Sequence, residues 1–290
     1  MIIKESELII NPDGSIYHLH LLPVDIADNI ILVGDPGRVE VVAEFFEKIE
    51  LKKQNREFYT ITGIFKNKRI TVISTGIGTD NIDIVVNELD ALVNIDLKTR
   101  EKKKEHKTLN LVRIGTSGSL QKDIPVDSFL MSIRSIGFDG LLNFYANRDK
   151  IADLAFEKAF KDYVHWNPLL ASPYIVDASE ELIQKLDGDN IKKGITISAP
   201  GFYGPQGRKL RLPIIDPEIN DKIETFEFEN QKITNYEMES SAIYGLSKLL
   251  GHNAITLCAI IANRASKTYS KDYKPVVKKL IKTVLDRLSY

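Results

Sequence analysis

One cysteine, one tryptophan and three methionines are all that the 290 residues hold of those types. The lone Cys258 excludes an internal disulfide and any cysteine-built zinc cluster. Its setting, Thr256-Leu257-Cys258-Ala259-Ile260, reads as a buried small apolar position, not a nucleophile. No sign of charge dominates, since 39 basic and 40 acidic residues leave a net charge of −1. The chain therefore lacks the basic surface that nucleic-acid binding needs for counterion release. Long apolar runs are missing too. The most extended, Ala254 to Ala262, falls far short of the ~20 residues of a membrane-spanning helix. The start, Met1-Ile2-Ile3-Lys4-Glu5-Ser6-Glu7, does not have the basic-then-apolar order of a secretion signal. These absences lead us to expect a cytoplasmic protein with no nucleic-acid or membrane partner. His18, His106, His165 and His252 are scattered, with no metal-ligand spacing.

What is present is an alternation of strand and helix patterns. With 43% hydrophobic and 27% charged residues the composition is that of a globular protein, which makes that alternation interpretable. The β-branched runs Ile30–Val33, Ile70–Ser74, Leu109–Ile114, Ser128–Ile133, Ile195–Ala199 and Ile255–Ile261 predict strands. Helical spacing predicts helices over Val39–Phe46, Asn81–Val93, Ala178–Leu186, Tyr236–Leu250 and Pro275–Leu288. We expect an α/β fold: one mixed, largely parallel central sheet flanked by helices, as a single domain over residues 1–290. The charged stretch Lys98–Lys107 reads as a solvated connection, because two glutamates interrupt its basic residues.

Four segments could carry chemistry. Gly34-Asp35-Pro36-Gly37-Arg38 follows a strand, and ligands bind outside the carboxyl ends of strands in open α/β sheets. The next helix would offer free amides and Arg38 a forked cation to an anion. Equally, Asp35 is a helix N-cap and Pro36 a first helical residue, which needs no ligand. In Arg113-Ile114-Gly115-Thr116-Ser117-Gly118-Ser119 an arginine ends an apolar strand before a glycine turn. Burying it requires either a bound anion, with Thr116 and turn amides completing a cradle, or a structural carboxylate. Asn235-Tyr236-Glu237-Met238-Glu239-Ser240-Ser241 opens a predicted helix. There Glu237 could answer Thr234 in a capping box and Glu239 could be a first-turn acid, or a carboxylate could grip sugar hydroxyls. Phe202-Tyr203-Gly204-Pro205-Gln206-Gly207-Arg208 joins aromatics, an amide and a guanidinium, suited to the face and edge of a heterocycle or to an ordinary surface loop.

Taken together, Gly34–Arg38, Arg56-Glu57-Phe58, Ser74–Gly78, Arg113–Gly118 and Asn235–Ser240 resemble the nucleoside phosphorylase superfamily of the trimeric and hexameric type, in its uridine-cleaving branch. The resemblance spans Tyr17 to about Arg287. It implies phosphorolysis of uridine to uracil and ribose 1-phosphate, with inorganic phosphate as co-substrate and no organic cofactor. Residue by residue, it implies phosphate binding by Gly34, Arg38, Arg113 and Thr116, with Arg56 reaching in from a neighbouring subunit. Ribose contacts fall to Met238 and Glu239, and to His18 across the same boundary, so a homodimer is the expected minimal unit and a hexamer its expected multiple. Phe202, Gln206 and Arg208 match the base pocket, with Arg264 supporting it through a water or through Arg208. Arg113, Glu239, Gln206 and Arg208 are the catalytic candidates. Some relatives hold a monovalent cation at the dimer boundary, at the positions of Glu57, Ile70 and Ser74, which suggests potassium.

Purine enzymes of the family place an acid where this chain reads Ala262-Asn263-Arg264, and no carboxylate stands there. Gln206 and Arg208 would instead donate to the carbonyls of uracil, with the Gln206 carbonyl accepting from N3–H. Two segments depart from the family pattern: Gly204-Pro205 reverses the usual order, and Lys98–Asn110 is longer and more basic. The alternatives are a phosphorylase or nucleosidase acting on another nucleoside, and a non-catalytic nucleoside-binding protein.

Overall fold

The computed structural model describes residues 2–289. The chain runs β1 (Asn29–Val33), α1 (Pro36–Ala43), β2 (Lys48–Asn55), β3 (Phe58–Phe65), β4 (Lys68–Ser74) and α2 (Thr79–Asn94). A short hairpin, β5 (Ile95–Asp96) with β6 (Glu101–Lys102), leads into β7 (Asn110–Ser119) and β8 (Phe129–Gly137). There follow α3 (Leu154–Val164), β9 (Tyr174–Asp177), α4 (Glu180–Leu186) and β10 (Ile191–Ser198). The remainder is α5 (Ile219–Thr225), β11 (Glu227–Phe228), β12 (Gln231–Glu237), α6 (Ser240–Leu250), β13 (Asn253–Asn263), β14 (Thr268–Tyr269) and α7 (Lys274–Leu288).

The main sheet has the order β11-β12-β10-β8-β13-β7-β1-β4-β3-β2, and β12 also pairs with β7. That extra pairing closes β12, β10, β8, β13 and β7 into a ring. Pairs β10–β12, β10–β8, β13–β7, β1–β7 and β1–β4 are parallel; β13–β8, β12–β7 and β2–β3–β4 are antiparallel. This is the expected mixed α/β sheet flanked by helices. Its parallel registers gather Val33 with Ser74, Leu32 with Arg113, and Ser198 with Glu237 at one edge.

Helix α2 shows why the helices lie where they do. Ile82, Val85, Val86, Leu89 and Leu92 recur at helical spacing and are fully buried. Each such side chain contributes about 1.5–3 kcal/mol on leaving water. In α1, Asp35 accepts a hydrogen bond from the Gly37 amide at 2.9 Å and Pro36 is the first helical residue, so the capping expectation for this turn holds.

Three expectations need correction. The helix predicted from Tyr236 begins at Ser240, because Asn235, Tyr236 and Glu237 pair in parallel with Thr196, Ile197 and Ser198 and complete β12. Thr234 is consequently no N-cap; its hydroxyl donates to the Ile195 carbonyl. The glycine turn expected at 115–118 is strand: β7 continues to Ser119 in register with β13. The glycines serve close approach instead, since a Cβ on Gly115 would lie 3.3 Å from Arg113 Nη2 and one on Gly118 3.8 Å from Arg264 Nε. On its other edge β7 pairs with β1 only as far as Arg113 and with β12 only from Gly118, so the stretch between is open beside Arg113. Strands β2 and β3 gave no signal, for the turns of the β2–β3–β4 meander use non-glycine residues in the left-handed region: Arg56 (φ 53°), Lys66 (φ 47°) and Asn67 (φ 61°). Lys98–Lys107 is a largely exposed connection from α2 to β7, as expected, with β6 inside it. Among the described residues no helix is long and apolar enough to cross a membrane.

Candidate active site

The buried Arg113 guanidinium organises one end of the site. Its Nε donates to Glu237 Oε2 at 3.2 Å and its Nη2 donates to Glu239 Oε2. Its Nη1 is buried without a partner, and a Cβ on Gly34 would stand 3.9 Å from it. The structural-carboxylate reading of Arg113 holds: two carboxylates take two edges of the fork, and the third nitrogen is left on the side of the Gly34 turn. Arg38, on the first turn of α1, donates from Nη1 to the Ile114 carbonyl at 3.3 Å and pairs with no carboxylate among the described residues. Burial and the repulsion of Arg113 hold its pKa below the usual value. Two guanidiniums with spare donors beside a glycine turn suit a tetrahedral oxyanion. No hydrogen bond ties the half-buried Thr116 to either.

Glu239 faces the same point. Its Oε1 accepts the Gly78 amide at 2.9 Å, so the Ser74–Gly78 segment closes this side of the site. Burial, and then the charge of Glu237, push its pKa up to about 7 against the pull of Arg113. Met238 lies half-buried between the two glutamates. Cys258 abuts Arg113 at full burial, which pushes its thiol up to about 12, so it is no nucleophile.

The other end of the site is built on Gln206, buried on the turn Gly204–Gln206. Its Oε1 accepts Arg208 Nη1 at 2.5 Å and Arg264 Nη2 at 2.9 Å, and its carbonyl accepts Arg264 Nη1. Arg208 lies 3.8 Å over the Phe202 ring and Arg264 4.8 Å over Tyr236. Neither has a carboxylate partner among the described residues, and burial, with Arg208 nearby, lowers Arg264 to about 10. Two expectations change. Gln206 Oε1 is occupied by two guanidiniums, so the amide presents its NH₂ donor and not an acceptor for N3–H. Arg264 acts directly on Gln206, not through Arg208. One face of Phe202 is likewise covered by Arg208. A cavity of about 1120 Å³ opens beside this loop, lined in part by Phe138, Trp166, Leu170, Tyr203, Arg208 and Leu212.

Asn263 stands where purine enzymes would carry an acid. Its NH₂ donates to the Gln121 and Ile124 carbonyls, each at 2.8 Å, and its Oδ1 accepts the Ser266 amide at 2.8 Å. That side chain is spent on the main chain.

His18 and Arg56 do not join Arg113. They share a different patch: His18 Nδ1 bonds Glu88 at 2.6 Å, Asn55 donates to the His18 carbonyl at 2.8 Å, and Arg56 lies 5.7 Å over Tyr17. Within one chain the three cation positions do not meet either. Ile70 and Ser74 are four residues apart on β4, roughly 13 Å at strand rise, so one ion could take both only from two copies of the chain. The Ser74 hydroxyl already donates to the Glu57 carbonyl and accepts the Tyr59 amide. Among the described residues no cluster of three His, Cys, Asp or Glu could hold a metal.

Sequence reasoning missed the site role of Glu237. The signal was a Glu-x-Glu spacing, which on a strand end puts two carboxylates toward one neighbour.

Residues 28–288 match the model of the phosphorylase superfamily, and the chain belongs to that superfamily of nucleoside-cleaving enzymes. Within it, the chain is 27% identical to a uridine phosphorylase from Thermococcus kodakarensis over 267 residues, 89% of this chain and 81% of that one. It is equally 27% identical to a DeoD-type purine nucleoside phosphorylase from Listeria monocytogenes over 244 residues, 84% of this chain and 85% of the other. Its fold is similar to a Trypanosoma brucei nucleoside phosphorylase described as showing uridine phosphorylase activity, with a TM-score of 0.87, 28% identity and coverage of 97% of this chain and 99% of that one.

Proposed function

We propose that the protein cleaves uridine with inorganic phosphate to give uracil and ribose 1-phosphate, a step of pyrimidine salvage. The observation that carries this reading is the base end of the site. Arg208 and Arg264 converge on Gln206 with no carboxylate partner, and Asn263 is unavailable to a purine. An electropositive, donor-rich pocket suits a base that leaves as an anion with charge on carbonyl oxygens. A purine phosphorylase would instead use an acid to meet the purine nitrogen, and the matching stretch Ala262-Asn263-Arg264 holds none.

Phosphate would bind Arg113 Nη1, Arg38 and the Gly34 turn, with Arg56 supplied by a second copy. Held in place, it attacks the ribose C1′ as the bond to the base lengthens, and orientation removes much of the entropic barrier. Its negative charge offsets the oxocarbenium-like sugar. Glu239, ionised, accepts from the 2′ and 3′ hydroxyls, and Met238 lies against the ring. The Gln206 NH₂ and Arg208 take the charge of departing uracil, where one well-placed donor is worth roughly 2.7–4 kcal/mol. His18 of the second copy would reach the 5′ hydroxyl, so the minimal unit is a homodimer. The chemistry calls for no organic cofactor.

The test is release of free base from uridine, thymidine, inosine and adenosine, each with and without phosphate. Phosphate-dependent release of uracil is expected. Preferential cleavage of inosine or adenosine would replace this reading with a purine one, and release without phosphate would make the protein a nucleosidase.

A further inference from the structure

We infer that Glu237 is the positioning residue of this site: one buried carboxylate that sets both the aim of Arg113 toward phosphate and the charge of Glu239 toward ribose. The inference rests on the phosphorolysis reading above. Glu237 ends β12 fully inside the protein. Its Oε2 accepts Arg113 Nε at 3.2 Å and the Glu239 amide at 2.9 Å. Its Oε1 accepts the Ser198 hydroxyl at 2.6 Å, the Ser240 hydroxyl at 2.7 Å and the Ser240 amide at 3.0 Å. These bonds favour its ionised form, and its pKa is lowered despite burial. It is the fixed negative charge of the cluster, whereas Glu239 is the one left free to titrate.

Two consequences follow from where those bonds point. Holding Arg113 by Nε, and letting Glu239 take Nη2, leaves Nη1 as the nitrogen turned to Gly34. Holding the amides of Glu239 and Ser240 fixes the corner from which the Glu239 side chain springs, so the phosphate and ribose arms hang from one anchor. The charges facing Glu239 are Arg113 from β7 and Glu237 from β12, with the Gly78 amide at the start of α2 and, beyond Arg113, Arg38 from α1 and Cys258 from β13. Tyr174 and Tyr244 face Glu237 and stay neutral, since burial raises both.

Glu237→Gln tests this. The variant keeps the shape, removes the charge and can no longer accept every donor. In folded Glu237→Gln, kcat/KM for phosphate falls about 100-fold, the scale expected from misplacing a reactant by an ångström. The acid limb of the pH–rate profile also moves to lower pH, because Glu239 has lost a like-charged neighbour. Glu237→Asp keeps the charge one methylene short: the limb stays in place while the KM for phosphate rises. It is the second variant should Glu237→Gln fail to fold, and circular dichroism decides that. A limb unmoved in folded Glu237→Gln, or kcat/KM in either variant indistinguishable from the parent, overturns the inference. If the parent protein cleaves no nucleoside, the functional reading fails separately. The rise in Tm with added inorganic phosphate then reads the same anchor: loss of that rise in the variants supports it, and an equal rise overturns it.

Discussion

The Gly78 amide donates to Glu239 Oε1 at 2.9 Å across 161 residues of sequence. It ties the start of α2 to the start of α6 and leaves Glu239 flanked by an amide on one oxygen and the Arg113 guanidinium on the other. A carboxylate so held is pre-aimed, and its charge depends on its surroundings more than on solvent.

That dependence predicts the pH response. Glu239 must be ionised to accept from ribose hydroxyls, and its pKa stands near 7 in the fold against 4.5 ordinarily. Activity should therefore rise with pH through about 7. The raised pKa also means that this group's contribution to stability is full below its ordinary value and declines as pH rises toward 7. Steady-state kcat/KM between pH 5 and 9, paired with Tm, checks both. A flat rate profile across pH 7 would remove Glu239 from the ionised role.

Arg113→Ala should abolish phosphate-dependent cleavage, and it should also destabilise the protein. In the structure Arg113 neutralises two buried carboxylates, and stripping one partner from a buried pair costs about 3–5 kcal/mol. A drop in Tm with loss of activity is expected. An active variant would refute the phosphate assignment.

Arg208→Ala and Arg264→Ala should depress uridine turnover, by roughly 100- to 1000-fold for a lost charge-stabilising donor, while the KM for phosphate changes little. Equal damage to both parameters would place these arginines outside the base pocket.

Asn263→Asp should not create a purine enzyme. The new carboxylate would face the Gln121 and Ile124 carbonyls that now accept its NH₂. Leaving these groups unpaired costs about 1–3 kcal/mol, seen as a lower Tm without gained inosine cleavage. Inosine cleavage by the variant would show that this position faces the base.

If His18 and Arg56 serve a neighbouring copy, mixing inactive His18→Ala with inactive Glu239→Gln under subunit exchange should restore about a quarter of the activity, as random pairing into two-fold dimers gives. No recovery would place each site within one chain.

The strand–glycine–polar segments announced the α/β sheet and most of the site, because propensity and ligand chemistry are local. Asp35 as a cap, Cys258 as buried filler and the solvated Lys98–Lys107 segment were legible for the same reason. Strands β2 and β3 were not, since the turns that follow them hold left-handed arginine, lysine and asparagine where glycine would be the usual marker. Glu237 was hidden because its partners, Arg113 and Ser198, lie far off in sequence.

By itself the sequence determined which groups the site could contain: guanidiniums, two glutamates, an amide, and no acid at 262–264. Only the tertiary structure decided how their hydrogen-bonding capacity is divided. The β12–β10 and β12–β7 pairings bring Glu237 to Arg113, and the loop after β13 brings Arg264 to Gln206. A donor already given to a neighbour cannot serve a ligand, and that allocation depends on distances no string of residues records.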